Sequence, residues 1–470
     1  MGVEGLGEIY RVVSLFSGAG GLDEGFALTG RYEVLFANDV KDFMVKTYSA
    51  NFKLKKTYYL NPKDFPQVVL SDVSKLDFSR LENFDVDLVV GGPPCQDFSV
   101  LRSSTTERQG IMVRRGRLYA HFVRALVHLQ PKAFVFENVP GLVSANRGLA
   151  YKTIIEDFSH LNLRWDEVKK AIDNDQLDKS KIHDYRIIFR DVVDATHFGV
   201  PQARKRLLIV GLRRDIAHKQ DPLTLSYKFK KYLRKHKLLK KYPLTSMEAF
   251  EGEIIPNLQD RYVEVMKEYD GVWQAVGTEK ALKWKRAVWD RLTFNIVEDY
   301  LLLNNVTNYS EHELEEAFEL HKTILKELDY YGKKVSQLNL LDGSNNPPRE
   351  KQEIVKRVKM IPPGENYEFV VGSPWELRKK GVSQIYRKLH PLKPSYTVVA
   401  YGGGGMAMYH YERSRSALTN REKARLQTFP DTFQFVGSYS TMKAEIGEAV
   451  PPLLAKRVAE ALARILDEID

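Results

Sequence analysis

Cys95 is the only cysteine in a chain of 470 residues, and it stands in Gly91-Gly92-Pro93-Pro94-Cys95-Gln96-Asp97-Phe98-Ser99. A lone thiol has no disulfide partner and cannot help build a thiolate metal cage, so no metal site is expected. Its available chemistry is nucleophilic, because a thiolate adds readily to an electron-poor centre. The bland reading is a buried cysteine that packs as a small hydrophobe. Other side chains could join it. Glu137 offers a carboxyl for proton handling, Arg204 and Arg206 offer guanidiniums for an anion or carbonyl, and Asp39 and Asp72 offer hydrogen-bond acceptors.

The elements that would position these groups are readable from the pattern. Val86-Asp87-Leu88-Val89-Val90 reads as a buried strand of a parallel sheet, and the two glycines and two prolines after it stop the strand and fix the backbone carrying the thiol. Ala133-Phe134-Val135-Phe136 is a second such strand and delivers Glu137 at a comparable sheet edge. Open α/β sheets place their chemistry at the carboxyl ends of such strands. In an extended segment Gln202, Arg204 and Arg206 alternate onto one face, which suits recognition of an anion or carbonyl and would equally suit three solvated edge residues.

A strand from Arg11 to Phe16 runs into Ser17-Gly18-Ala19-Gly20-Gly21, and a helix is predicted from Leu22 to about Leu28. Such a turn lets a ligand approach backbone amides at a helix start. The dinucleotide fingerprint fails, because Asp23 stands where its third glycine belongs. Two further strands end at Asn38-Asp39 and near Asp72. Either aspartate alone is commonly a helix cap, but three consecutive strand ends with glycines and two carboxylates fit a bound adenosine.

The formal charge of +10 makes a polyanion a natural partner through phosphate neutralisation. No apolar run is long enough to span a membrane, and Met1–Arg11 has no signal-peptide pattern, so a cytoplasmic protein without a membrane partner is expected. Residues 100–116 carry Arg102, Arg108, Arg114 and Arg115 with little apolar periodicity, as either a functional lid or a surface excursion. Helices are predicted over Leu118–Leu129, 146–181, much of 260–335 and Pro451–Ile469. Composition shifts near Asp215. The basic stretch Lys228–Lys241 would suit a phosphate backbone or a solvated helix face. Thr397–Tyr401 is predicted as a strand, followed by a glycine run at 402–405.

Taken together, these motifs resemble the DNA (cytosine-5) methyltransferases of the bacterial and archaeal restriction-modification type. Phe16-Ser17-Gly18-Ala19-Gly20-Gly21 is similar to the family's first cofactor motif, Asn38-Asp39 to its Asn-Glu, and Asp72 to its adenine-binding aspartate. Pro93-Pro94-Cys95-Gln96 resembles the catalytic cysteine motif, Glu137-Asn138-Val139 the glutamate motif, and Gln202-Ala203-Arg204-Lys205-Arg206 the Gln-x-Arg-x-Arg motif. Arg421–Pro430 and Gly447–Pro452 resemble the last two, with Glu448 where asparagine is usual.

The resemblance implies an α/β fold: an S-adenosylmethionine-dependent methyltransferase with a Rossmann-like mixed sheet and an inserted, smaller target-recognition domain. The expected division is a catalytic and cofactor-binding domain over 1–215, a recognition domain over 216–405, and a return to the catalytic domain over 406–470. Duplex DNA would lie in the cleft between the domains. The implied catalytic residues are Cys95, Glu137, Arg204 and Arg206. The implied contacts to S-adenosylmethionine are Phe16, Gly18, Ala19, Gly21, Asp39, Val40, Asp72, Val73, Gly92, Pro94 and Leu118. A monomer acting on nucleoid DNA beside a cognate restriction endonuclease is expected.

Three rivals are weighed. A tRNA methyltransferase on the same framework would carry a Cys-Phe-Thr tripeptide, which a chain with one cysteine in Pro-Pro-Cys-Gln lacks. A catalytically silent DNA-binding paralogue need not retain Cys95, Glu137 and the arginines together. A cysteine hydrolase needs a histidine base near Cys95, and His121 and His128 sit in a helix with no orienting pattern.

Overall fold

The computed structural model describes residues 8–81, 84–94, 117–169, 172, 182–218, 220–377, 385–401 and 408–469. Cys95, the arginine-bearing stretch 100–116 and the glycine run 402–405 therefore lie outside the described residues.

The chain divides into two compact units, one of Met1–Asp194, Lys205–Lys235 and Ala449–Asp470, the other of Ala195–Arg204 and His236–Glu448. The first unit holds an eight-stranded sheet: β1 Tyr10–Leu15, β2 Tyr32–Asp39, β3 Lys55–Thr57, β4 Gln67–Leu70, β5 Leu88–Gly91, β6 Ala133–Asn138, β7 Tyr185–Asp194 and β8 Lys205–Arg213. Their spatial order is β3-β4-β2-β1-β5-β6-β8-β7. The strands from β3 to β6 in that order pair in parallel, and β8 pairs antiparallel with both β6 and β7.

The apolar runs become strands because helices cover both faces of the sheet's centre. Val89, Phe134 and Phe136 join Phe122 of the helix Arg117–Leu129, and Phe158 of the helix Leu149–Ser159, in one buried cluster. Phe134 and Phe158 rings lie 4.5 Å apart and Phe122 and Phe136 rings 5.4 Å apart. Burying each such side chain contributes roughly 1.5–3 kcal/mol. The helix Gly21–Ala27 packs against the closing helix Pro452–Ile469 at Gly25, where a Cβ would lie 2.3 Å from the Pro452 carbonyl oxygen. Only glycine permits that approach.

The second unit is mainly helical and has its own core, including Tyr269, Trp284, Phe369 and Tyr386. The helix Asn420–Leu426 opens on a capping box between Thr419 and Glu422. Its buried arginines hold the surrounding loops. Arg421 bonds Asp342 and the Phe433 carbonyl, and Arg425 bonds the carbonyls of Ala249 and Lys333.

Three expectations change. The two-unit division puts residues through Lys235 with the sheet, beyond the compositional break at 215, because Lys228 and Lys235 pair with Glu468 and Glu460 of the closing helix. It also assigns residues up to Glu448 to the second unit rather than ending that unit at 405. In the basic stretch, Arg234 and Lys241 also have carboxylate partners, so these charges are held on a structural face. Finally, Thr397–Tyr401 is irregular rather than a strand. Its backbone is satisfied locally: the Val398 N–H donates to the Gln202 side chain, and the Thr397 hydroxyl donates to the Ala203 carbonyl.

Candidate active site

The glycine turn after β1 is shaped by backbone that most residues resist. Phe16, Gly18 and Gly20 have φ of 55°, 55° and 97°, and a Cβ on Gly20 would lie 2.4 Å from the Phe52 ring. The Gly18 N–H donates to the Asp39 carboxylate at 3.0 Å, and the Lys41 N–H donates to its other oxygen at 2.8 Å. The end of β2 is thereby clamped to the turn. A carboxylate oxygen can accept more than one hydrogen bond, so Asp39 is a candidate acceptor for ligand hydroxyls. Val40, beside it, is 64% exposed, an apolar surface available to a flat ring.

Asp72 follows β4 and caps the short turn Val73–Lys75, accepting the Ser74 N–H at 2.9 Å. Partial burial opposes ionisation, but the Ser74 hydrogen bonds prevail and hold its carboxyl below the usual range. Arg124 secures the same turn by donating to the Val73 and Leu76 carbonyls at 2.8 and 2.9 Å. Val73 itself and Ala19 are buried, while Phe16 and Leu118 are partly exposed and Pro94 is exposed. Gly18, Asp39 and Asp72 thus meet at neighbouring strand ends. Ala19 and Val73 can line such a site only through backbone or support.

The second half of the site lies at the ends of β5, β6 and β8. Glu137 and Arg206 form an ion pair at 2.9 Å, with side chains only 12% and 13% exposed. Gly92 lies against them: a Cβ there would sit 2.7 Å from a Glu137 carboxylate oxygen. The buried Asn138 side chain donates to the Pro93 carbonyl at 2.9 Å, fastening the Pro93-Pro94 turn to the strand that carries Glu137. Cys95, two residues past Pro93, falls outside the described residues.

The expectation that Gln202, Arg204 and Arg206 share one face is not met. Arg206 belongs to β8, whereas Gln202 and Arg204 are buried in the second unit. Arg204 donates to the carbonyls of Val398 and Gly447 at 3.1 and 2.9 Å, and Gln202 donates to the Leu426 carbonyl at 3.1 Å. A guanidinium bonded to two buried carbonyls braces the backbone around it, whereas the Arg206 guanidinium pairs with Glu137.

Sequence reasoning missed the carboxylate beneath the glycine turn. Asp23 is fully buried and accepts from the Ser14 hydroxyl at 2.9 Å. Burial outweighs that bond and pushes its pKa up to about 7, and burial likewise raises Glu24 to about 7. The available signal was the acidic pair Asp23-Glu24 in a short helix whose other residues are Gly, Leu, Phe and Ala. Among the described residues, no group of three or more His, Cys, Asp or Glu is placed to hold a metal.

The model of the C-5 cytosine-specific DNA methylases matches residues 10–464. The chain belongs to that family. It is 53% identical over 467 residues to the DNA (cytosine-5-)-methyltransferase M.ApeKI of Aeropyrum pernix, covering 98% of this chain and 99% of that protein. It is 29% identical to the type II methyltransferase M.BbvI of Brevibacillus brevis, covering 98% and 92%. Among solved structures, a prophage-encoded protein of E. coli described as a DNA modification methyltransferase superposes with a TM-score of 0.53 at 21% identity, covering 97% of this chain and 99% of that one. That likeness concerns the fold.

The strand-end surface thus has two chemically distinct halves. The clamped glycine turn with Asp39 and Asp72 offers backbone donors and carboxylate acceptors. The Glu137–Arg206 pair beside the Pro93-Pro94 turn offers a carboxyl and a guanidinium.

Proposed function

We propose that the chain methylates carbon 5 of a cytosine turned out of a specific duplex DNA sequence, through a covalent bond between Cys95 and carbon 6. The observation that carries this reading is the Glu137–Arg206 pair packed on Gly92, in the turn that leads directly to Cys95.

Carbon 5 of cytosine is a weak nucleophile. In the proposed step the Cys95 thiolate adds to carbon 6, and the displaced electrons make carbon 5 an enamine carbon able to attack an electrophilic methyl group. Loss of the carbon 5 proton and departure of Cys95 then restore the aromatic ring. A thiol with an ordinary pKa near about 8.5 is mostly protonated at neutral pH, so the site must favour thiolate. Glu137 hydrogen-bonds the ring nitrogen and exocyclic amine as charge enters the ring, and Arg206 holds Glu137 in place and faces the ring carbonyl. Positioned groups of this kind typically contribute about 10²–10⁴-fold.

S-adenosylmethionine fits the other half of the surface and supplies a methyl group on a positively charged sulfur. The Gly18–Gly21 turn would offer its backbone to the ligand, Asp39 would accept hydrogen bonds from the ribose hydroxyls and Asp72 one from the adenine amine, and the exposed Val40 would pack on the ring. A base stacked in a duplex exposes neither face to two reagents, so extrusion is required, at a few kcal/mol of unstacking. The second unit is the candidate reader of base edges, and the basic charge of the whole chain supports phosphate contacts. The type II name of M.BbvI supports a functional companion endonuclease, and the chain is proposed to act as a monomer. Among the described residues no helix is long and apolar enough to cross a membrane, and work on intracellular DNA is in keeping with that.

The decisive experiment uses duplex DNA carrying 5-fluorocytosine, which cannot lose a carbon 5 proton. Mass spectrometry should find a trapped adduct on Cys95, and Cys95→Ser should abolish both adduct and turnover. Full activity in Cys95→Ser would sink the covalent mechanism. A silent paralogue would bind DNA and give neither product nor adduct.

A further inference from the structure

Away from the strand ends that carry the chemistry, the first unit has a cavity of about 280 Å³. It lies beside the turn Thr29–Arg31, immediately before β2 begins at Tyr32, and therefore at the opposite end of that strand from Asp39. Its lining includes Arg31, Lys235, Lys456 and Arg464 with one carboxylate, Glu460. Lys456, Glu460 and Arg464 follow one another at four-residue spacing along the helix Pro452–Ile469, so they share one helix face.

Local contacts arrange these cations. Glu460 is already shared by Lys235 at 2.9 Å, Arg457 at 3.3 Å and Lys456 at 3.5 Å. Arg31 is held by Asp467 at 2.6 Å, and its N–H donates to the Thr29 hydroxyl at 3.1 Å. Arg464 has no carboxylate partner among the described residues, and its guanidinium stands 5.4 Å from the Tyr232 ring centre. Four cations, Arg31, Lys235, Lys456 and Arg464, thus line one concave site with a single carboxylate, Glu460, while Asp467 holds Arg31 and Arg457 shares Glu460 from outside the lining. The excess positive charge raises the local potential. Arginine forks and lysine heads at this density match the oxygens of a phosphoryl group.

We propose that this cavity binds a small polyphosphate anion, of the diphosphate or triphosphate class. A duplex backbone needs a track of regularly spaced contacts, whereas these four cations converge on one pocket. The site is built on the two helices that meet at Gly25, so its ligand ties the turn before β2 to the closing helix.

Calorimetric titration of the full chain with inorganic pyrophosphate tests this, with inorganic phosphate, sulfate at matched ionic strength and a short non-specific duplex as comparisons. Pyrophosphate should bind saturably at one site, more tightly than phosphate or sulfate. Arg464→Gln and Lys456→Gln should each weaken it about tenfold or more, with steady-state methylation unchanged. Arg464 is exposed and bears no ion pair among the described residues, so its variant should fold normally, which circular dichroism checks. Unaltered binding in both variants, or equal binding of sulfate, would overturn the site. Competition by the duplex, together with weaker duplex affinity in Arg464→Gln, would assign the cations to DNA and overturn the free-polyphosphate reading.

Discussion

Asn138 donates its side-chain N–H to the Pro93 carbonyl at 2.9 Å, and through that bond the strand carrying Glu137 also aims the turn that leads to Cys95. One strand end thus carries the Glu137 carboxyl and also fixes the Pro93 carbonyl of the turn that precedes Cys95 in the chain. Replacing Asn138 by Ala leaves the Pro93 carbonyl buried without this donor, at a cost of about 1–3 kcal/mol. Turnover should fall at least tenfold while binding of S-adenosylmethionine changes little, as single-turnover kinetics and equilibrium dialysis would show. Asn138→Asp should be no better, because an ionised carboxylate cannot donate.

Gly92 packs directly on the Glu137 carboxylate. A methyl group there meets the Glu137 carboxylate at 2.7 Å, well inside van der Waals contact. Gly92→Ala should displace Glu137 from Arg206 and lower kcat by about 10²-fold, the scale on which misplaced catalytic groups act. An unchanged kcat would show that Glu137 can move without penalty.

Arg206 and Arg204 should separate cleanly when each is replaced by Ala. Loss of Arg206 leaves the Glu137 carboxylate, 12% exposed, without its partner, and kcat should drop by about 10²–10³-fold with little change in melting temperature. Loss of Arg204 instead removes the donor to the Val398 and Gly447 carbonyls, so the dominant effect should be a melting temperature lower by several degrees. Parallel thermal denaturation and kinetics of the two variants would distinguish these outcomes.

Asp23 makes stability depend on pH in a predictable direction. Its carboxyl titrates near 3.8 in the unfolded chain and near 7 when buried beside Ser14, so the folded state holds the extra proton between those values. Its contribution is complete below about 3.8 and is lost as pH rises through about 7. The difference corresponds to on the order of 4 kcal/mol. Denaturant titrations between pH 5 and 8 should show stability falling with pH, and Asp23→Asn should roughly halve that slope, leaving a comparable part due to Glu24. An identical slope in the variant would exclude Asp23 as its origin.

The fold and half of the site were legible because short-range rules govern them. Leu88-Val89-Val90 and Ala133-Phe134-Val135-Phe136 are apolar without alternation, as strands covered on both faces must be, and both formed as predicted. The glycines at 18 and 20 occupy left-handed backbone that their type announces. Thr397–Tyr401 looked equally strand-like by composition, yet its N–H and hydroxyl groups found side-chain and loop partners. Composition does not reveal which partner a backbone group will meet.

The sequence by itself determined the order of the strand-end motifs, the single thiol and the carboxyl that can serve it, since residue type and local spacing suffice for these. Only the tertiary structure separated the surroundings of Arg204 from those of Arg206. They are two residues apart and share a face by local geometry, but the chain passes from one unit to the other between Arg204 and Lys205. One guanidinium is consequently buried among carbonyls and the other reaches Glu137. The charge state of Asp23 was decided in the same way, because desolvation depends on what the fold packs around a carboxyl and not on its neighbours in the chain.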